Sequence, residues 1–357
     1  MSRILLLVNG LGLGNSTRSY AVIQQLLARG AEVEVVTSNN GLWFFADKPE
    51  VGRVTEIPSL HYGQKAGRIN IVATLSQAGA MLDTIRCADA IISNTIARFH
   101  PSSVVTDSIY SLRPVRRAGL PLAAINNSDM VVRQMARGGW PAEVIPQFLT
   151  VELSDYLFHR LLPDLVISPR LDPNDIVQGG NFRRVGPIVR NACRPEPMST
   201  RRPERVAVML SGSVFGSRVV FKRDRSDVVI DVVGRPTPGD GDVPRGVTFH
   251  GKVRDSLAFM RNADLVVVNG GFSAVSEALF LRKPTVVIPV PRHAEQWVNG
   301  DSVRRLGLGI VTGEAELEDA IDVALERIDE FRAAFSALPP LLNGAEHAAE
   351  LILGLAT

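Results

Sequence analysis

Arg3-Ile-Leu-Leu-Leu-Val-Asn-Gly10-Leu-Gly-Leu-Gly14 and, 202 positions later, Arg205-Val-Ala-Val-Met-Leu-Ser-Gly212-Ser-Val-Phe-Gly216 follow one pattern. Each is a short apolar run that closes on small polar and glycine residues before a helix-like segment, as a buried parallel strand does when it hands over to a phosphate-cradling turn. The chain therefore reads as two similar α/β halves. A cleft between such halves, faced by glycine-lined strand ends, suits a nucleotide-linked ligand.

The bulk numbers agree with two halves. A chain of 357 residues is too long for one ordinary core and fits two domains of ~150 to 190 residues each. Lys+Arg 39 against Asp+Glu 37 leaves almost no net charge, so nothing points to a nucleic-acid partner. Cys87 and Cys193 are too few for a disulfide framework or a zinc ligand set, and the sequence offers no metal site. Ile4 to Val8 is too short for a signal segment, and no apolar run approaches membrane-spanning length. The expected location is cytoplasmic. Basic and apolar residues mix at 113–117, 133–137 and 158–162, which suits peripheral contact with the inner face of a membrane and equally suits solvated helix faces.

Strands are expected at 4–8, 33–37, 54–57, 104–106, 122–126 and 165–168, with helices at 16–29 and within 71–98. Strand and helix alternate, so the sheet should be parallel. The proline-rich run 191–203 lacks periodicity and reads as a linker. Beyond it, 206–210, 228–233, 247–249, 265–268 and 285–289 repeat the strand pattern, and helical spacing continues from Leu317 to Phe335 and again from Ala345 to Leu355. Asp240-Gly-Asp242 has acid-x-acid spacing, but its Pro/Gly surroundings read as a turn.

After the strand 265–268 come Asn269-Gly270-Gly271-Phe272-Ser273-Ala274-Val275-Ser276-Glu277. A strand end, two glycines and a hydroxyl at a helix start make an anion site suited to a diphosphate. Glu277 lies one turn beyond Ser273, where a carboxylate can accept from two ribose hydroxyls.

The stretch 269–296 resembles the donor-binding signature of the glycosyltransferase-B superfamily, in particular its inverting UDP-sugar transferases and the peptidoglycan N-acetylglucosaminyltransferase type. The loop Gly12-Leu-Gly14-Asn15-Ser-Thr-Arg18 is similar to the G-x-G-H-x-x-R opening of the same superfamily, and Val185-Gly-Pro-Ile188 looks like the segment before its interdomain linker. The resemblance implies an α/β fold of two Rossmann-like parallel-sheet domains facing a central cleft (the GT-B fold). Residues 1–190 would hold the acceptor, 191–204 the linker and 205–338 the nucleotide sugar, with 339–357 a last helix able to cross back to the first domain. It further implies that Gly270, Gly271 and Ser273 face the diphosphate, Glu277 the ribose, and Glu295 and Gln296 the transferred sugar. His250 to Val253 would hold the base through main-chain groups. Gly12 and Gly14 line the opening loop, and N–H groups around Ser211, Gly212 and Ser213 would help the diphosphate leave.

Two positions depart from the family's pattern. Asn15 and Asn269 stand where the family often has His, and Asn cannot take a proton. A missing general base forfeits ~10²- to 10⁴-fold in rate. Asp107, at the cleft end of its strand, is the preferred substitute base, and His61 the second. Retaining members usually carry Glu at the position of Asn269, so inversion is expected.

The leading reading is an inverting, metal-independent transferase. It moves a sugar from a UDP-sugar or other nucleoside-diphosphate sugar to a hydroxyl on a small-molecule, lipid or glycan acceptor, with no cofactor beyond the donor, alone or with a partner subunit or second copy. The alternatives are a nucleotide-sugar epimerase or hydrolase, or a weakly active protein that binds nucleotide sugar. A nicotinamide enzyme is disfavoured because the third fingerprint glycine would fall on Asn15.

Overall fold

The computed structural model describes residues 1–58, 64–65, 68–69, 78–195, 197–210, 220–238, 243–253 and 255–356, with the backbone alone at 64–65, 68–69 and 78–81. The first half runs β1 (Arg3–Val8), α1 (Leu13–Ala28), β2 (Glu32–Thr37), α2 (Asn40–Phe45), β3 (Val54–Glu56), and the short antiparallel pair β4 (Gln64–Lys65) and β5 (Arg68–Ile69). It continues through α3 (Ala78–Phe99), β6 (Ser103–Asp107), α4 (Arg113–Arg117), β7 (Leu122–Ile125) and α5 (Ser128–Met135). A π-helical turn, Phe148–Glu152, leads into α6 (Leu153–Leu161), then β8 (Leu165–Pro169) and β9 (Phe182–Val185).

The second half runs β10 (Arg205–Met209), β11 (Val229–Val232), β12 (Val247–Phe249), α7 (Ser256–Asn262), β13 (Leu265–Val268), α8 (Phe272–Phe280), β14 (Thr285–Val287), α9 (Ala294–Arg305) and β15 (Gly309–Val311). Three helices close the chain: α10 (Leu317–Glu326), α11 (Ile328–Ala337) and α12 (Gly344–Leu355). Among the described residues no helix is long and apolar enough to cross a membrane.

Every pairing within the two large sheets is parallel. Their orders are β3-β2-β1-β6-β7-β8-β9 and β12-β11-β10-β13-β14-β15. In both, the first strand of the half lies at the centre and the order reverses beside it, the doubly wound arrangement. The composition of β1 explains its position: Ile4, Leu5, Leu6, Leu7 and Val8 are all sealed from solvent on both faces, each worth roughly 1.5–3 kcal/mol over exposure.

The sheets contain two strands beyond those expected. β9 carries two arginines, and β15 is a three-residue strand that starts on glycine. The expected 16–29 helix starts earlier, at Leu13, the described part of 71–98 forms α3 while 71–77 lie outside the described residues, and the spacing from Leu317 onward divides into α10 and α11.

The chain passes between the lobes twice, and the passages are tied together. Gly344 N–H donates to Pro187 O at 2.8 Å. Asn343 Nδ2 donates to Val189 O at 2.9 Å, and its Oδ1 accepts from Val189 N at 3.3 Å and from Ala345 N at 3.0 Å. One side chain thus caps α12 and clasps the other passage. Beyond it, Ala345, Ala348, Ala349 and Ile352 of α12 pack into the core of the first lobe with Ile4, Leu6 and Ile23. The lobes also share an apolar seam in which Met130, Val131 and Met135 of α5 pack with Phe272, Val298 and Val303.

The passages touch so closely that a Cβ on Gly344 would lie 2.0 Å from Gly186 O, a backbone atom with no side chain to move aside. Gly344→Ala should therefore destabilise the protein by ~1–3 kcal/mol, read as a lower melting temperature by calorimetry. An unchanged transition would show that the two passages are not held against each other.

Candidate active site

The cleft ends of β1 and β10 sit at the switch points of their sheets, where diverging neighbours leave a crevice. From β1 the chain turns into α1, and from β13, beside β10, it turns into α8. The N-caps of these helices are Gly12 and Gly271. Neither helix start has a side-chain cap bond, and neither first turn carries an acidic residue.

The two starts meet. Ser273 Oγ donates to Gly14 O at 2.9 Å across the lobes. Each helix start presents N–H groups with no intrahelical acceptor, and both dipoles direct their positive ends at the same point. Gly12 and Gly14 are exposed and Gly271 is half-buried, so the point of convergence opens to solvent. Such an arrangement attracts an anion.

The expected donor residues gather around this point. Gly270 lies so close to α9 that a Cβ would fall 2.3 Å from Gln296 O, and Asn299 Nδ2 donates to Gly270 O at 2.8 Å. Asn269 Nδ2 donates to Ile288 O at 3.0 Å, and Gln296 Oε1 accepts from Val290 N at 2.9 Å. These two amides hold the loop after β14 over the start of α8. Glu295 faces the other lobe, where Asn127 Nδ2 donates to its Oε1 at 3.2 Å.

Along 250–253, His250 Nε2 lies 2.7 Å from Asp231 Oδ1, and Lys252 Nζ stands 4.0 Å from the centre of the Trp43 ring. Val253 is half-buried beside them in sequence. His61, Ser211, Gly212, Ser213 and the stretch Asp240-Gly-Asp242 lie outside the described residues.

Two carboxylates read from the sequence as cleft groups are engaged inside the protein. Both oxygens of Glu277 are taken by Arg190, at 2.7 Å from Nε and 2.9 Å from Nη2. Burial works against the Arg190 charge and Glu277 more than restores it, so this guanidinium is held above its ordinary value. Asp107 is 1% exposed. It accepts from Arg18 Nε at 3.1 Å, Arg18 Nη2 at 2.6 Å and Ser19 Oγ at 2.9 Å. Its place at the end of β6 is the expected one, but its side chain turns beneath α1 and braces that helix. Asn15, half-buried on the first turn of α1, remains near the helix start.

The structure adds residues that no motif marked. Glu152, on the π-helical turn of the first lobe, is 7% exposed and accepts from Gln147 Nε2 at 2.7 Å. Gln147 in turn accepts from Ala294 N at 2.9 Å, so this turn is docked on the start of α9. Burial, reinforced by the Glu295 carboxylate, pushes the Glu152 carboxyl up to about 8. Burial pulls the His293 imidazole below its ordinary value, against the opposing pull of Glu295. In sequence Glu152 is one acid between Val151 and Leu153, with no motif around it.

A sequence profile of glycosyl transferase family 1 matches residues 2–140 and 245–332. The chain is 24% identical over 335 residues to an uncharacterized glycosyltransferase of Methanosarcina acetivorans, covering 86% of this chain and 84% of that protein. The crystal structure of Acinetobacter baumannii MurG aligns with a TM-score of 0.62 at 14% identity, over 99% of this chain and 100% of that one. The Streptomyces sp. SF2575 glycosyltransferase SsfS6, complexed with thymidine diphosphate, aligns with a TM-score of 0.58 at 19% identity, over 99% and 100%. Both likenesses are of fold.

Removing Asp107 would leave the buried Arg18 unpaired, so Asp107→Ala should cost ~3–5 kcal/mol of stability, measured by urea denaturation. Near-normal stability with collapsed turnover would instead return Asp107 to the role of base.

Proposed function

The chain belongs to glycosyl transferase family 1 and is a glycosyltransferase; from that premise we propose that it moves a sugar from a nucleoside diphosphate of the uridine type to a hydroxyl-bearing acceptor, with inversion at the anomeric carbon. The observation that carries this reading is the meeting of two uncapped helix starts at Ser273 and Gly14. The diphosphate would sit between them, with the Ser273 hydroxyl turning from Gly14 O to a phosphate oxygen. The thymidine diphosphate bound to SsfS6 is consistent with a pyrimidine nucleotide donor.

In this mechanism the acceptor oxygen bonds to the anomeric carbon from the face opposite the diphosphate. The bond from that carbon to the diphosphate breaks, and its electron pair leaves with the phosphate. Preorganised N–H groups of α1 and α8 stabilise the charge that develops there, so no metal or other cofactor is needed on the diphosphate. Glu295 and Gln296 would hold the sugar. Glu277 would reach the ribose by releasing Arg190, and the 250–253 segment would face the base.

The acceptor proton needs a basic atom. Asn15 has none, and Asp107 has both oxygens committed to Arg18 and Ser19. We therefore assign the base to His61, and His61→Ala should lower kcat by ~10²- to 10⁴-fold with little change in donor affinity. A variant with near-normal turnover would remove His61 from the mechanism.

The anion site has its own test. A side chain at Gly14 meets only ordinary contact, with Ser273 Oγ 3.6 Å from its Cβ, so Gly14→Asp can place a carboxylate in the first turn of α1 without a clash. It should weaken UDP binding by at least about tenfold in calorimetric titration, while the melting temperature holds. Undiminished UDP affinity in this variant would place the diphosphate elsewhere.

A further inference from the structure

A second cluster of chemically competent side chains lies where the lobes meet, at the start of α9. Glu152 comes from the π-helical turn of the first lobe, and His293 and Glu295 come from the second. One ligand-type atom from each of the three lies within 4.8 Å of the other two. Three points so placed always have a common point within about 2.8 Å of each, and small side-chain rotations reduce that to the ~2.0–2.2 Å of nitrogen and oxygen bonds to zinc.

The donor set has a definite character. One imidazole and two carboxylates suit a borderline divalent cation, and such a cation cancels the two negative charges. His293 Nδ1 is shut off from solvent and has no hydrogen-bond partner among the described residues. A buried polar atom in that condition is costly, and coordination, or a hydrogen bond made once the ring is coordinated, would relieve it. Glu152 and Glu295 repel each other across the interface, with Gln147 and Asn127 as the amides that donate to them. Amides satisfy carboxylate oxygens but bring no net charge.

We propose that Glu152, His293 and Glu295 bind one divalent cation of the zinc type, which fastens the first lobe to the second at the start of α9. The site adjoins the proposed sugar position through Glu295, lies apart from the helix starts of α1 and α8, and requires nothing of the leaving diphosphate. Its consequence is mechanical. With ligands on both lobes, the cation holds the cleft closed and ties Glu295 to the acceptor lobe. The π-helical turn fits this role, because its extra residue per turn re-aims the side chain at its end; such turns recur at functional sites.

The test uses the full chain, stripped of metal with a chelator and titrated with Zn²⁺ by calorimetry, with Mn²⁺ in parallel. The expected result is one equivalent of Zn²⁺ bound with micromolar or tighter affinity and a higher melting temperature. Glu152→Gln and His293→Ala should each weaken binding by at least about tenfold. Glu152→Gln keeps the shape of the side chain and removes a buried ionisable group, so its metal-free circular dichroism and melting should match or exceed those of the parent. That control separates loss of a ligand from loss of the fold. Two results would overturn the proposal: no stoichiometric Zn²⁺ binding, or binding that survives both substitutions. A protein that ignores Zn²⁺ but binds an amino-sugar nucleotide through Glu152 would also overturn it, and would assign the positive charge to the substrate's ammonium group.

Discussion

Two helices that point their positive ends at each other are an electrostatic liability, and the rest of this molecule is arranged to keep them there. α1 and α8 are each the first helix after a switch-point strand end, so both starts must face the crevice. Neither is neutralised by an acidic first turn or a capping side chain. Side-chain caps are few among the described helices, by Asp255 on α7 and Asn343 on α12, and α1 and α8 differ from the other uncapped starts in meeting each other across the lobes. Leaving two starts uncapped where they converge is the feature that an anionic leaving group would complete.

Keeping the starts together requires the lobes to be fastened from several sides. Asn343 ties the two interlobe passages, the seam around Met130 and Phe272 excludes water, and Arg190 reaches from the first passage to Glu277. The Arg190–Glu277 pair has a further significance. Taking one partner away leaves a buried charge uncompensated, so the pair resists separation. A ribose that competed for Glu277 would have to offer compensation on both sides, which would couple donor binding to the position of the passage between the lobes. Arg18 and Asp107 play the comparable part inside the first lobe, fixing α1 to the end of β6.

Much of the fold is legible because parallel strands buried on both faces are written as unbroken apolar runs, such as Ile4 to Val8 and Leu265 to Val268. β9 breaks that rule. Its Arg184 is buried because Asp129 and Ser168 receive it, a long-range arrangement that composition does not reveal. The glycines and the hydroxyl that open α8 are equally legible as a helix start, since their spacing is local. What is lost is whatever depends on a partner far along the chain. Asp107 has the position expected at a strand end, but its side chain answers to Arg18; Glu277 has the right helical turn, but it answers to Arg190. Glu152 has no local signal, because part of what it faces, the start of α9 with Glu295, lies far along the chain.

The two lobes therefore meet through two kinds of polar contact. At the α1–α8 point, positive dipole ends converge and call for negative charge. At the α9 point, the carboxylates of Glu152 and Glu295 converge and call for positive charge. Each unbalanced pair draws one member from each lobe, so each becomes less costly when a ligand of opposite sign bridges the lobes. Ligands that filled both places would hold the lobes together, because the charges they would neutralise face each other across the interface.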